Sequence, residues 1–207
     1  MTSSITSLET GLVDRVSDIH RLDERISMWW SNVPQRLKLK TSEIPTADPY
    51  WLPRILLLNI VYHQSLCALH ASIVPLFCWA VSEEKWALAR KTSAQIAYEH
   101  ACSVSAMIDA VLSHYPKLAA TPAFVSYAAY CSCAIQIPFI WSADAAVSQR
   151  AQLNVRANIR MIRAMAKYWK LADLLVSRFW LTYTSHWLMT GRESTSTACI
   201  IFTENTT

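Results

Sequence analysis

Glycine occurs only twice in the 207 residues, at Gly11 and Gly191. Dinucleotide fingerprints, phosphate-cradling loops and nucleophile elbows all need glycine, for positive φ or for close backbone approach, and none can be written here. Tight two-residue hairpins are equally short of material. Alanine, leucine and tryptophan are abundant and no long run alternates strictly. The expectation is therefore an all-α fold, an irregular multi-helix bundle of about six helices. A chain of this length suits one domain, burying roughly 70% of its unfolded surface.

The bundle should be organised around residues 51–75, WLPRILLLNIVYHQSLCALHASIVP. Asp48 is the expected N-cap, with Pro49 and Pro53 in a first turn where a missing N–H costs little. After Arg54 no Asp, Glu, Lys or Arg appears until Glu83, and residues 118–143 are a second such stretch. Each of the charge-free segments 55–82 and 118–143 is long enough to cross a bilayer, so a membrane-associated helical protein is one reading. The first, however, carries His63, Gln64, His70 and Pro75, and the second Ser126, Ser132, Gln136 and Pro138. Polar groups at mid-span are costly, which favours a buried pair of core helices and makes membrane partnership the weaker reading.

Around this centre, residues 1–11 read as a polar lead-in and 12–188 as the folded part. Leu12, Val16, Ile19, Leu22, Ile26 and Trp30 form one face of an amphipathic helix that Val33-Pro34 ends. A basic connector follows, with Leu37 and Leu39 alternating between Arg36, Lys38 and Lys40. Ser82 should cap a long helix to about Ser113, directing Trp86, Ala89, Ile96, Ala97, Val104, Ile108 and Leu112 inward. Thr121-Pro122 opens another, with a kink expected near Pro138. Asp144 should cap a fifth helix, and a sixth starts at Lys170. The Thr/Ser-rich tail, 189–207, lacks a helical period and is expected to be flexible.

Net charge is +4, too small for a general polyanion binder. The six cysteines come with no secretory leader, so reduced thiols are expected. His63, Cys67 and His70 share one helix face at i, i+4 and i+7, a spacing able to supply three zinc ligands. No fourth ligand lies nearby, and hydrogen bonding inside a core is the better reading, so neither metal nor cofactor is expected in this chain. Cys131-x-Cys133 is the one close cysteine pair, and its spacing does not match a six-cysteine zinc cluster. Arg156, Arg160, Arg163, Lys167 and Lys170 step by four and three, a basic face that could meet a nucleic acid or an acidic surface; with no aromatic interleaved on it, a solvated face is the better reading. Leu153, Ile159, Ile162, Met165, Ala166 and Trp169 should lie opposite. Ser65, Ser103, His100, Asp109 and His114 carry no local signature of a triad, and no catalytic residue is nominated. A helical small-molecule-binding protein or enzyme built on His63, Cys67 and His70 is a further alternative.

The order of these features resembles a known domain. Leu22-Asp23-x-x-Ile26-x-x-Trp29-Trp30-x-x-Val33-Pro34-x-x-Leu37 is similar to a segment of the fungal-specific transcription factor domain, the middle homology region of fungal binuclear zinc-cluster regulators. Leu57-Leu58-x-Ile60-x-Tyr62-His63-Gln64-x-Leu66-x-x-Leu69-His70 resembles that domain's helix ending in His-Arg-Pro, though Ala71-Ser72 replace Arg-Pro. The helices at 101–112, 122–141 and 157–172 continue the likeness over about residues 14–188. The resemblance implies the carboxy-terminal half of an all-helical regulatory domain, without the first half or the cysteine cluster. It implies transcription regulation in the nucleus, with cytoplasm open to a truncated chain. The implied partners are other protein chains of the transcription machinery, a second copy of the chain, or a small effector, with no specific DNA binding by this chain alone.

Overall fold

The computed structural model describes residues 2–74, 87–115 and 121–175. Helices α1 (Thr2–Asn32), α2 (Leu52–Ala71), α3 (Ala87–His114), α4 (Phe124–Gln136) and α5 (Ala145–Ala166) carry the fold. Short 3-10 turns lie at Gln35–Leu37, Thr41–Thr46 and Ile137–Trp141, residues 170–175 begin another helical segment, and no strand occurs among the described residues. The expected all-α multi-helix fold is what the chain forms.

Cross-helix contacts fix the directions. Arg15 meets Ser72, Asp23 meets His70 and Trp30 meets Tyr62, so α1 runs antiparallel to α2. His63 with His100 and His70 with Ser93 set α2 antiparallel to α3. Asn154 reaches Cys102, Asn158 reaches Ser105 and Arg160 reaches Asp109, so α5 lies parallel to α3. Helix α3 packs against α2, α4 and α5 and forms the centre of the bundle. The main core joins Leu56 and Ile60 of α2, Val104, Ile108 and Val111 of α3, Val125 and Ala129 of α4, and Met161, Ile162 and Met165 of α5. Small side chains let the axes approach: Ala97 and Ala101 of α3 are fully buried against Cys67 and Ile135.

Several local expectations change. Helix α1 starts at Thr2, so the lead-in is helical; Ile5 and Leu8 extend the four-and-three apolar spacing back from Leu12, and nothing there breaks it. Asp48 does not cap α2, where Trp51 takes the N-cap position without a side-chain bond. Its carboxylate instead accepts the Tyr50 N–H at 2.9 Å, and its carbonyl accepts from Trp51 and Leu52, making an Asx turn that leads into the helix. The alternating Leu37 and Leu39 belong to a connector held by buried Asn59. Its amide donates to the Leu37 carbonyl at 2.8 Å, and its oxygen accepts the Leu39 N–H at 2.8 Å. The expected kink is a change of helix type, α4 tightening into 3-10 around Pro138. Asp144 does cap α5, accepting from Ala146 and Val147. Ala97, Val104 and Ile108 are interior as expected, whereas Leu153 is exposed because the covered arc of α5 is narrower than its apolar pattern, and Trp169 is exposed beyond the end of α5. The Ser82 cap, Trp86 and the tail lie outside the described residues.

Candidate functional site

His63, Cys67 and His70 all face α3, and each has its own neighbour there. A 2.7 Å hydrogen bond joins His63 Nδ1 to His100 Nδ1, one ring donating and the other accepting. The Cys67 thiol points at the Ala97 carbonyl, 3.5 Å away. His70 Nδ1 contacts Ser93 Oγ at 3.2 Å, while its buried Nε2 lies 3.5 Å from Asp23 Oδ2, an electrostatic contact rather than a formed hydrogen bond. Among the described residues no three His, Cys, Asp or Glu side chains gather as a metal site. Burial, then the neighbouring His100, lowers the His63 pKa to about 3. Burial lowers His70 as well, with Asp23 opposing, and it lowers His100. These neutral imidazoles are mortar between helices.

The hydroxyls and histidines considered for catalysis are engaged separately. Ser65 donates to the Val61 carbonyl and Ser103 to the Glu99 carbonyl, each on its own helix, and His114 Nδ1 bonds the Ala110 carbonyl. Burial raises the thiol pKa of Cys67, Cys102, Cys131 and Cys133. The free thiols should accordingly react slowly in the native chain. Of the four described cysteines, iodoacetamide at pH 8 followed by peptide mapping should label Cys131 first, with Cys67 and Cys133 labelled only after unfolding in urea.

The basic face divides. Arg156, Arg160 and Arg163 line a cleft of about 890 Å³ between α3 and α5, together with Thr41, Asp109 and Ser113. Lys167 and Lys170 continue the stripe outside the cleft and are exposed. Arg160 lies 3.8 Å from Asp109, both more than half exposed, so that pair contributes little. Arg156 differs. Its Nε is buried and has no hydrogen-bond partner among the described residues, a condition that costs about 1–3 kcal/mol.

A second concavity, about 340 Å³, lies between α1 and α2 and is lined by Leu22, Arg25, Ile26, Trp29, Val61 and Tyr62. Trp30 stacks on Tyr62, with ring centroids 4.1 Å apart and planes 6° from parallel, which fixes the groove's floor. Leu22, Trp29 and Val61 remain exposed on its rim. Comparison of the chain with protein-family models, with curated proteins and with solved structures gives no match.

Sequence reasoning passed over the polar seam that locks α3, α4 and α5. Gln136, fully buried, donates to Ser105 Oγ at 2.8 Å and accepts from Asn154 Nδ2 at 2.7 Å. Asn158 donates to the same Ser105 hydroxyl at 2.9 Å. The available signal was an uncharged amide or hydroxyl on an otherwise apolar helix face, at Ser105, Gln136 and Asn158, where solvation cannot reach.

Proposed function

We propose that the chain is a helical regulatory domain of the kind it resembles, a fragment of a fungal zinc-cluster transcription regulator without the DNA-binding cluster. It acts in the nucleus by contact with other protein chains of the transcription machinery and carries out no chemistry of its own. The supporting observation is the α1–α2 groove. The tryptophan pair of the resembling segment is divided there between two tasks: Trp30 is stacked on Tyr62, and Trp29 is left 48% exposed beside Leu22, Ile26 and Val61. A rigid apolar pocket flanked by an exposed indole and Arg25 is the composition that anchors protein interfaces.

Two helices, Leu52–Ala71 and Phe124–Trp141, are apolar and long enough to cross a membrane by length and composition. In the bundle they bury Asn59, Gln64 and His70 on one and Ser126, Ser132 and Gln136 on the other against neighbouring helices, which favours the core role.

The test joins the chain to a heterologous DNA-binding domain and reads a reporter gene in a fungal host. Wild type should alter reporter output, and Trp29→Ser should reduce that effect about tenfold or more, with helicity unchanged by circular dichroism. A tagged chain that stays outside the nucleus and leaves the reporter unaltered would overturn the reading.

A further inference from the structure

We propose that the cleft between α3 and α5 binds a small, doubly charged organic phosphate ester, gripped by Arg156 and Arg163. The Arg156 guanidinium lines this cleft, and its Nε–H has no acceptor among the described residues. A guanidinium presents its N–H groups as a flat fork that fits two oxygens of one anion, and Arg156 is half-buried, with its Nε closed off, so the terminal N–H groups are the ones an oxyanion in the cleft would meet. Arg163 sits seven residues further along α5, about 10 Å up the same helix face, with Arg160 between them. Three guanidinium charges, less the one carboxylate of Asp109, leave the cleft a net charge of two, matched by a dianion.

Shape sets the size of the ligand. Ala106, Ala110 and Ala157 line the cleft without filling it, leaving apolar wall beside the charged groups, so the ester's organic part has a surface to lie against. A concave volume of about 890 Å³ is the scale of a small-molecule site, whereas a nucleic-acid or acidic-peptide contact would engage Lys167 and Lys170 on the open face beyond it.

The site would be the effector end of the proposed regulatory domain and to that extent rests on that reading. Calorimetry on the purified chain reads binding alone, while the reporter reads regulation, so the two can fail separately. Phenyl phosphate should bind saturably with a Kd below about 1 mM and more tightly than inorganic phosphate, and phenol should not bind. Arg156→Lys keeps the charge but removes the fork, and should lower affinity about tenfold, as should Arg163→Gln, while Lys91→Gln leaves it unchanged. Asp109→Asn, which removes an opposing charge without disturbing the core, should raise affinity severalfold. Absence of saturable binding, equal affinity for Arg156→Lys and wild type, or duplex DNA or an acidic peptide binding through these arginines while phenyl phosphate does not, each overturns the proposal.

Discussion

Replacing Gln136 with leucine should destabilise the chain by about 3 kcal/mol in urea denaturation, well above what a surface substitution does. Side-chain bulk is nearly conserved, so the loss comes from the hydrogen bonds. Gln136 is fully buried and stands between three helices. Its NH2 group donates to Ser105 Oγ and to the Ser132 carbonyl on its own helix, and its oxygen accepts from Asn154. Leucine offers none of these, and the Asn154 amide loses its 2.7 Å acceptor in a partly buried position. An unmade bond at a buried group costs its desolvation, and removing every partner together does not. The quadruple substitution Ser105→Ala/Gln136→Leu/Asn154→Leu/Asn158→Leu should therefore recover at least about half of the loss. Gln136→Glu should be worse than leucine at pH 7, because a buried carboxylate carries a large desolvation cost and the side chains bonded to Gln136, Ser105 and Asn154, are uncharged. A Gln136→Leu chain as stable as wild type would show that the seam contributes nothing.

This seam also shows where sequence reasoning stops. Periodicity located the helices because apolar residues must recur on the covered face, and the Asp144 cap was legible because the device is local. His63, Cys67 and His70 could be placed on one face by spacing alone. That they meet His100, Ala97 and Ser93 depends on the register of α2 against α3, which one helix's periodicity does not encode. The basic stripe was visible as a stripe. Its division into three cleft arginines and two outward lysines follows from where α3 runs beside α5, at Asp109 and Ala110. Leu153 and Trp169 misled because an apolar residue on a helix need not be covered; exposed apolar surface is ordinary. The Asp48 expectation failed over three residues, since Asn, Asp and Ser serve turns and caps with the same side-chain bond.

Acidification should weaken the fold well before the carboxylates are protonated. In the folded chain His63 titrates near pH 3, held down first by burial and then by His100, against about 6.5 for an unfolded histidine. Between those values the unfolded chain binds a proton that the folded chain refuses, so stability rises with pH across the window. The contribution is complete above pH 6.5 and is lost as the pH falls, by about 1.4 kcal/mol per unit, reaching about 2 kcal/mol at pH 5 from His63 alone. His70 and His100 are lowered too and act in the same direction. The groups facing this trio include Asp23 of α1, which opposes the shift at His70 and His100, His20 of α1, which adds to the lowering at His70, the Tyr62 ring of α2, and Ser93 and Glu99 of α3. A single His63→Leu change would strand the His100 nitrogen now bonded at 2.7 Å, so the informative variant is His63→Leu/His100→Leu. Wild type should lose at least about 2 kcal/mol of urea-unfolding free energy between pH 7 and pH 5, and the double variant should lose distinctly less. Proton NMR supplies the site-resolved check. A His63 ring that titrates near pH 6.5 in the folded chain would mean that the seam between α2 and α3 admits water, and the acid sensitivity would then have to arise elsewhere.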